Sequence, residues 1–132
     1  MFKQIRTSKD NKEVVAQLSR KLNLGKENVI ARIALTYSLS KGRTMDLDKI
    51  KDSGGKEYSR SVLLGSNEHI YVGLICTNYD LYKTDKSLPK YIKMHIDDGL
   101  ELIDKEIKKN PNFDGFDFLI DKIGNGLSSM MN

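Results

Sequence analysis

A chain of 132 residues, 39% of them hydrophobic, has the material for one hydrophobic core and is short for two. No apolar run reaches the length of about 18 residues that a membrane span needs, charges run through the first 20 residues, and Cys76 has no partner for a disulfide or a Cys-rich metal site. The expectation is a cytoplasmic protein in which Cys76 is a small buried hydrophobe, and the net charge of +4 is unevenly placed. Residues 1–43 hold ten Lys or Arg against Asp10, Glu13 and Glu27, whereas residues 44–132 hold twelve against fifteen acids. A basic front of this kind is the footprint of a face that tracks a phosphate backbone.

From the front, Phe2 to Thr7 combines aromatic and β-branched residues ahead of Ser8 and predicts a short strand or arm. Gln4 and Arg6 fall on one face of it, with Lys3, Ile5 and Thr7 on the other. Asp10 with Glu13 three residues later has the form of a capping box and predicts a helix starting there. Val14, Val15, Leu18 and Leu22 give that helix an apolar stripe, Arg20 and Lys21 suit its negative end, and Asn23-Leu24-Gly25 closes it. A second helix is predicted over 26–40. Val29, Ile30, Ile33, Ala34, Leu35, Tyr37 and Leu39 leave little of it polar, which predicts burial on nearly every side, in part by a second subunit.

Residues 43–60 lack a period and contain Gly54-Gly55, so a long connection is expected, with one helical turn over 46–51. Lys56 follows that pair without the spaced glycines of a phosphate loop, and nucleotide binding is discounted. After a brief extended or helical piece over 58–64, a third helix is expected over 67–82. Ser87-Leu88-Pro89 opens a fourth, whose stripe is Ile92, Ile96, Leu100, Ile103 and Ile107, and Asn110-Pro111-Asn112 stops it. Phe113 to Ile120 would dock as a short final helix, and Gly124 to Asn132 is expected to be a disordered tail. The fold expected is mainly α, a single small domain over 1–123 with a short N-terminal strand or arm and four to five helices. Its opening order of strand, helix and helix is that of the ribbon-helix-helix unit.

His69 and His95 lie on different predicted helices without metal-ligand spacing, and no Ser, His and Asp set declares a triad. Asp97, Asp98, Glu101 and Asp104 cluster on the fourth helix. They read as a solvated acidic face pairing with Lys93 and Lys105, the alternative being a divalent-metal site for phosphodiester cleavage. No cofactor or metal is expected. The candidate DNA-binding residues are Lys3, Arg6, Lys9, Lys12, Arg20, Lys21 and Lys26, the first four near the start of the first helix, where backbone amides also favour a phosphate. Phe2 is the only ring before Tyr37, so duplex backbone contact is favoured over single-strand stacking.

Four runs in order carry a resemblance. Ile5-Arg6-Thr7-Ser8, then Asn28 to Leu35 with Ser38-Leu39, then Gly55 to Arg60 with Leu63-Leu64-Gly65, and His95-Ile96-Asp97-Asp98-Gly99 resemble successive motifs of the DndE family of DNA sulfur-modification proteins. They cover about residues 3 to 107. The resemblance implies a small helical subunit that binds duplex DNA, favours nicked duplex, forms a homotetramer and works beside the other proteins of DNA phosphorothioation. It places the basic DNA face on Arg6, Lys9, Arg20, Lys21 and Lys26. Asp97-Asp98 departs from the Asn-Arg type of pair expected before that glycine, which removes a phosphate contact there, and the segment after Asn110 has no counterpart. Two other readings stand beside a non-catalytic binder: a DNA nickase of the same pathway, and a ribbon-helix-helix repressor.

Overall fold

The computed structural model describes residues 2–109. The short N-terminal strand forms as β1 (Gln4–Arg6), and its partner is β2 (Glu57–Ser59), where the stretch read as a connection meets the extended or helical piece expected over 58–64. The two are antiparallel, with Gln4 opposite Ser59, Ile5 opposite Tyr58 and Arg6 opposite Glu57. Strand alternation sends Ile5 and Tyr58 into the core and leaves the other four outside. Pairing continues beyond β1: Thr7 N–H donates to the Lys56 carbonyl and Gly55 N–H to that of Thr7, each at 3.0 Å. Gly55 fits because it is glycine. A Cβ there would overlap the Ser8 carbonyl oxygen and lie 2.9 Å from that of Thr7.

Helix α1 (Lys9–Leu22) starts before the expected capping box, and its N-cap is Ser8. The chain leaves β1 extended at Ser8, so its Oγ, not the Asp10 carboxylate, reaches the Asn11 N–H, at 3.4 Å. Asp10 and Glu13 stay exposed near that end. The helix ends as expected, with Asn23 in the left-handed region at φ 51° and Gly25 at φ 123°.

Helix α2 (Glu27–Ser40) is the centre of the molecule. Helices α3 (Arg60–Leu64), α4 (Glu68–Tyr79) and α5 (Leu88–Lys109) follow, with single 3₁₀ turns at Leu47–Lys49 and Gly65–Asn67. Helix α5 lies along α2 so closely that a Cβ at Gly99 would overlap the Ala34 carbonyl oxygen and come within 2.8 Å of the Ala34 Cα. Ile30, Ala34 and Leu35 of α2 join Ile92, Ile96, Leu100 and Ile103 of α5 in one core, with Val15, Leu18, Leu63 and Ile75 from the other helices. The covering of α2 therefore comes from α1, α3, α4 and α5 of the same chain, and its apolar surface does not require the second subunit expected from its composition. Cys76 is half-buried against the core, with a free thiol. Helix α4 stops at Tyr79, short of the expected end, because Asp80 turns left-handed at φ 56°.

No helix among the described residues is long and apolar enough to cross a membrane. The expected stop at 110–112, the helix over 113–120 and the tail over 124–132 lie outside the described residues.

Candidate nucleic-acid interface

All seven basic residues proposed from sequence are exposed. They form two groups joined by α1. Lys3, Arg6, Lys9 and Lys12 lie along β1 and the start of the helix, and Arg20, Lys21 and Lys26 lie at its far end and at the N-cap of α2. Lys9 and Arg20 are about 16 Å apart along the axis and, at about 100° per residue, within about 20° of each other around it. Lys12 sits about 60° to one side and Lys21 about 120° to the other, so the charge wraps the outward half of α1 and is not a narrow stripe.

Two of the seven are partly neutralised. Arg6 faces Glu57 across the strand pair at 2.9 Å, and Arg20 is 3.8 Å from Glu13, both pairs being well exposed. Lys3, Lys9, Lys12, Lys21 and Lys26 have no ion-pair partner among the described residues.

At the start of α1 the backbone N–H groups of Ser8, Lys9 and Asn11 are already engaged. Asp97 Oδ1 accepts from Ser8 N–H at 3.1 Å, and Asp52 Oδ2 accepts from Lys9 N–H at 3.0 Å and Gly54 N–H at 2.9 Å. The Gly54 and Lys9 N–H donors hold the Asp52 carboxyl below the usual carboxylate range, the Gly54 bond being the stronger influence. Phosphate attraction at this end therefore falls to the lysine side chains. Asp52 was missed from sequence, although Asp52-Ser53-Gly54 has the form of a turn whose carboxylate caps its own backbone.

The fourth-helix carboxylates do not form the solvated acidic face expected of them. Asp97 is 3% exposed and Lys93 5%, and they pair at 2.8 Å one turn apart on α5. Asp97 also accepts from Asn11 Nδ2 at 2.8 Å, and Lys93 Nζ donates to the Asp52 carbonyl at 2.8 Å, so the pair ties α5 to the start of α1 and to the 52–54 turn. Glu101 pairs with Lys51, and Asp104 pairs with Lys108 at 2.9 Å in place of Lys105. No group of three or more metal-ligating residues is assembled among the described residues.

Ser38 of α2 does meet His95 and Asp98, which lie three residues apart on α5. Asp98 accepts from Arg43 and from Ser38 Oγ, the latter at 2.6 Å; Ser38 Oγ is 2.8 Å from His95 Nδ1, and His95 Nε2 is 2.6 Å from the Tyr79 hydroxyl. Proton counting fixes the tautomer. The only proton of Ser38 Oγ goes to Asp98, so Nδ1 of His95 must donate to Ser38 while Nε2 accepts from Tyr79. Tyr79 in turn accepts from Met45 N–H at 2.9 Å. Burial pushes His95 down to about 4, against the opposing effect of Asp98 and with help from Arg43. The order is carboxylate, serine, histidine, tyrosine. A nucleophilic triad requires the histidine to receive the serine proton, and here both Ser38 and His95 are fully buried. This network anchors the segment after α2 to α4 and α5.

Comparison with known proteins agrees with the four sequence runs. The family model described as "DNA sulphur modification protein DndE" matches residues 4–110. Among solved structures, the crystal structure of DndE from Escherichia coli B7A, involved in DNA phosphorothioation modification, is similar at 18% sequence identity. It has a TM-score of 0.63, and the similarity covers 76% of this chain and 96% of that one. No curated protein sequence matches the chain.

Proposed function

Because the chain belongs to the DndE family of DNA sulphur modification proteins, we propose that it is the non-catalytic DNA-binding subunit of a cytoplasmic phosphorothioation machinery. In this reading it binds duplex DNA, with a preference for a nicked strand, and works beside the other proteins of that pathway. The observation that carries the reading is the basic surface of β1 and α1, with five lysines free of ion pairs among the described residues at the two ends of a helix about 21 Å long. Charge of this kind binds the backbone irrespective of sequence.

The nickase reading loses its candidate machinery, because Asp97 and Asp98 are engaged within the fold by Lys93, Asn11, Ser38 and Arg43. Incubation with supercoiled plasmid and Mg²⁺ or Mn²⁺ tests this: persistent supercoils with retarded mobility support a binder, and open circles contradict it. Sequence-specific operator binding would instead support the repressor reading.

Assembly as a homotetramer is part of the proposal, and α4 supports it in place of α2. From Ile70 to Tyr79 this helix carries no charged side chain, and only Val72 and Ile75 are fully buried. Ile70, Gly73, Leu74 and Thr77 follow the spacing of one helical face, with Ile70 49% exposed and open space above Gly73.

A further inference from the structure

Phe2 is the only ring of the basic head before Tyr37 in chain order, and folding sets the loop that follows Tyr82 against it. The loop between α4 and α5 is shaped by two consecutive turns, Asp85 N–H donating to the Tyr82 carbonyl at 3.0 Å and Leu88 N–H to that of Asp85 at 3.2 Å. Tyr82 is 86% exposed, the most exposed of the large hydrophobic side chains among the described residues. Beside it, Lys83 and Lys86 line an open groove of about 420 Å³ together with Phe2, Leu88 and Pro89. Lys3 follows Phe2 directly and leads along β1 to Arg6 and Lys9. The acid of the loop, Asp85, also lines this groove, and its carboxylate accepts from Ser87 N–H at 2.7 Å. Lys3, Lys83 and Lys86 are exposed and have no ion-pair partner among the described residues. Arg60, whose guanidinium lies 6.0 Å from the Phe2 ring centre, is paired with Glu68.

An exposed ring beside unpaired lysines, next to an apolar groove of nucleotide size, has the chemistry that holds an unpaired nucleotide. The ring stacks on the base and the lysines take its phosphates. We propose that the groove between Phe2 and the 83–89 loop receives a terminal nucleotide that unpairs at a break in one strand, with Tyr82, which precedes the lining residue Lys83, as the stacking platform and Lys83 and Lys86 on the flanking phosphates. The inference rests on the duplex-binding reading and adds to it the feature that distinguishes a broken strand from an intact one.

The test uses the full chain, fluorescence anisotropy, and three labelled duplexes of one sequence: intact, nicked, and nicked with a one-nucleotide flap of 2-aminopurine. The flap duplex is expected to bind about five- to tenfold more tightly than the intact one, and the 2-aminopurine emission to fall on binding. Tyr82→Ala should abolish both the preference and the quenching, Tyr82→Phe should retain them, and Lys83→Ala with Lys86→Ala should reduce the preference. Tyr82 touches so little of the protein that its removal leaves the core intact. A flap preference that survives Tyr82→Ala, or unquenched emission in the parent complex, overturns the inference while the duplex-binding reading stands. A parent protein that binds none of the three duplexes overturns both.

Discussion

Gly99 of α5 lies directly over the Ala34 carbonyl of α2, close enough that no side chain fits between the two helices. Gly99→Ala should therefore destabilise the fold by about 3 kcal/mol or more, because neither backbone can yield without separating the central helix pair. Chemical denaturation of the variant checks this, a lowered midpoint being the expected result.

Lys93 and Asp97 are buried together, so removing one leaves the other without its counter-charge. Asp97→Ala should cost about 3 to 5 kcal/mol, more than Asp98→Ala, since Asp97 also holds Ser8 N–H and Asn11 at the start of α1. Thermal unfolding of the two variants side by side tests the order. Loss of DNA binding by Asp97→Ala would then report a disordered α1, so these aspartates are unsuited to mapping the DNA face.

His95 makes stability depend on acid. Its folded value of about 4 lies below the unfolded value of about 6.5, so on acidification the unfolded chain takes up a proton first. The stability present above about pH 6.5 should fall by about 1.4 kcal/mol per unit toward pH 4 and then stop falling on this account. Denaturation midpoints of the parent and of His95→Gln across this range should differ in slope by about that amount.

The α4 face gives a prediction about assembly. On the tetramer proposal, the parent is expected to scatter with the mass of four 15.0 kDa chains, and Ile70→Lys should give a smaller species without lowering helix content. An unchanged tetramer mass would move the interface elsewhere.

Much of the helical frame was legible from periodicity, because the stripes of α1 and α5 repeat at three and four residues. β2 was legible only as an extended or helical piece over 58–64, since three residues carry too little alternation to decide; the cue to its pairing with β1 was Gly55, whose value depends on the Ser8 backbone lying against it. The capping residue was misplaced by two positions because Asp10 and Glu13 fit a local pattern, whereas Ser8 caps through the direction in which β1 delivers the chain. The acidic cluster on α5 was misjudged for a similar reason. Helical spacing brings Lys93 and Asp97 together, but only tertiary packing decides that the pair is inside. In the candidate site, exposure of the seven basic residues followed from their polarity, whereas the meeting of Phe2 with Lys83 and Lys86 needed the fold.

The central claim is that the basic surface of β1 and α1 holds the DNA backbone, and the salt dependence of binding tests it most directly. Anisotropy on a nicked duplex of arbitrary sequence, titrated from low to moderate salt, gives a slope for the parent and for Lys9→Glu with Lys21→Glu. Each phosphate that the variant no longer neutralises should make the log-log slope shallower by about 0.9, and the weakening should be alike on unrelated sequences. An affinity and slope unchanged by the two reversals would contradict this placement of the DNA face.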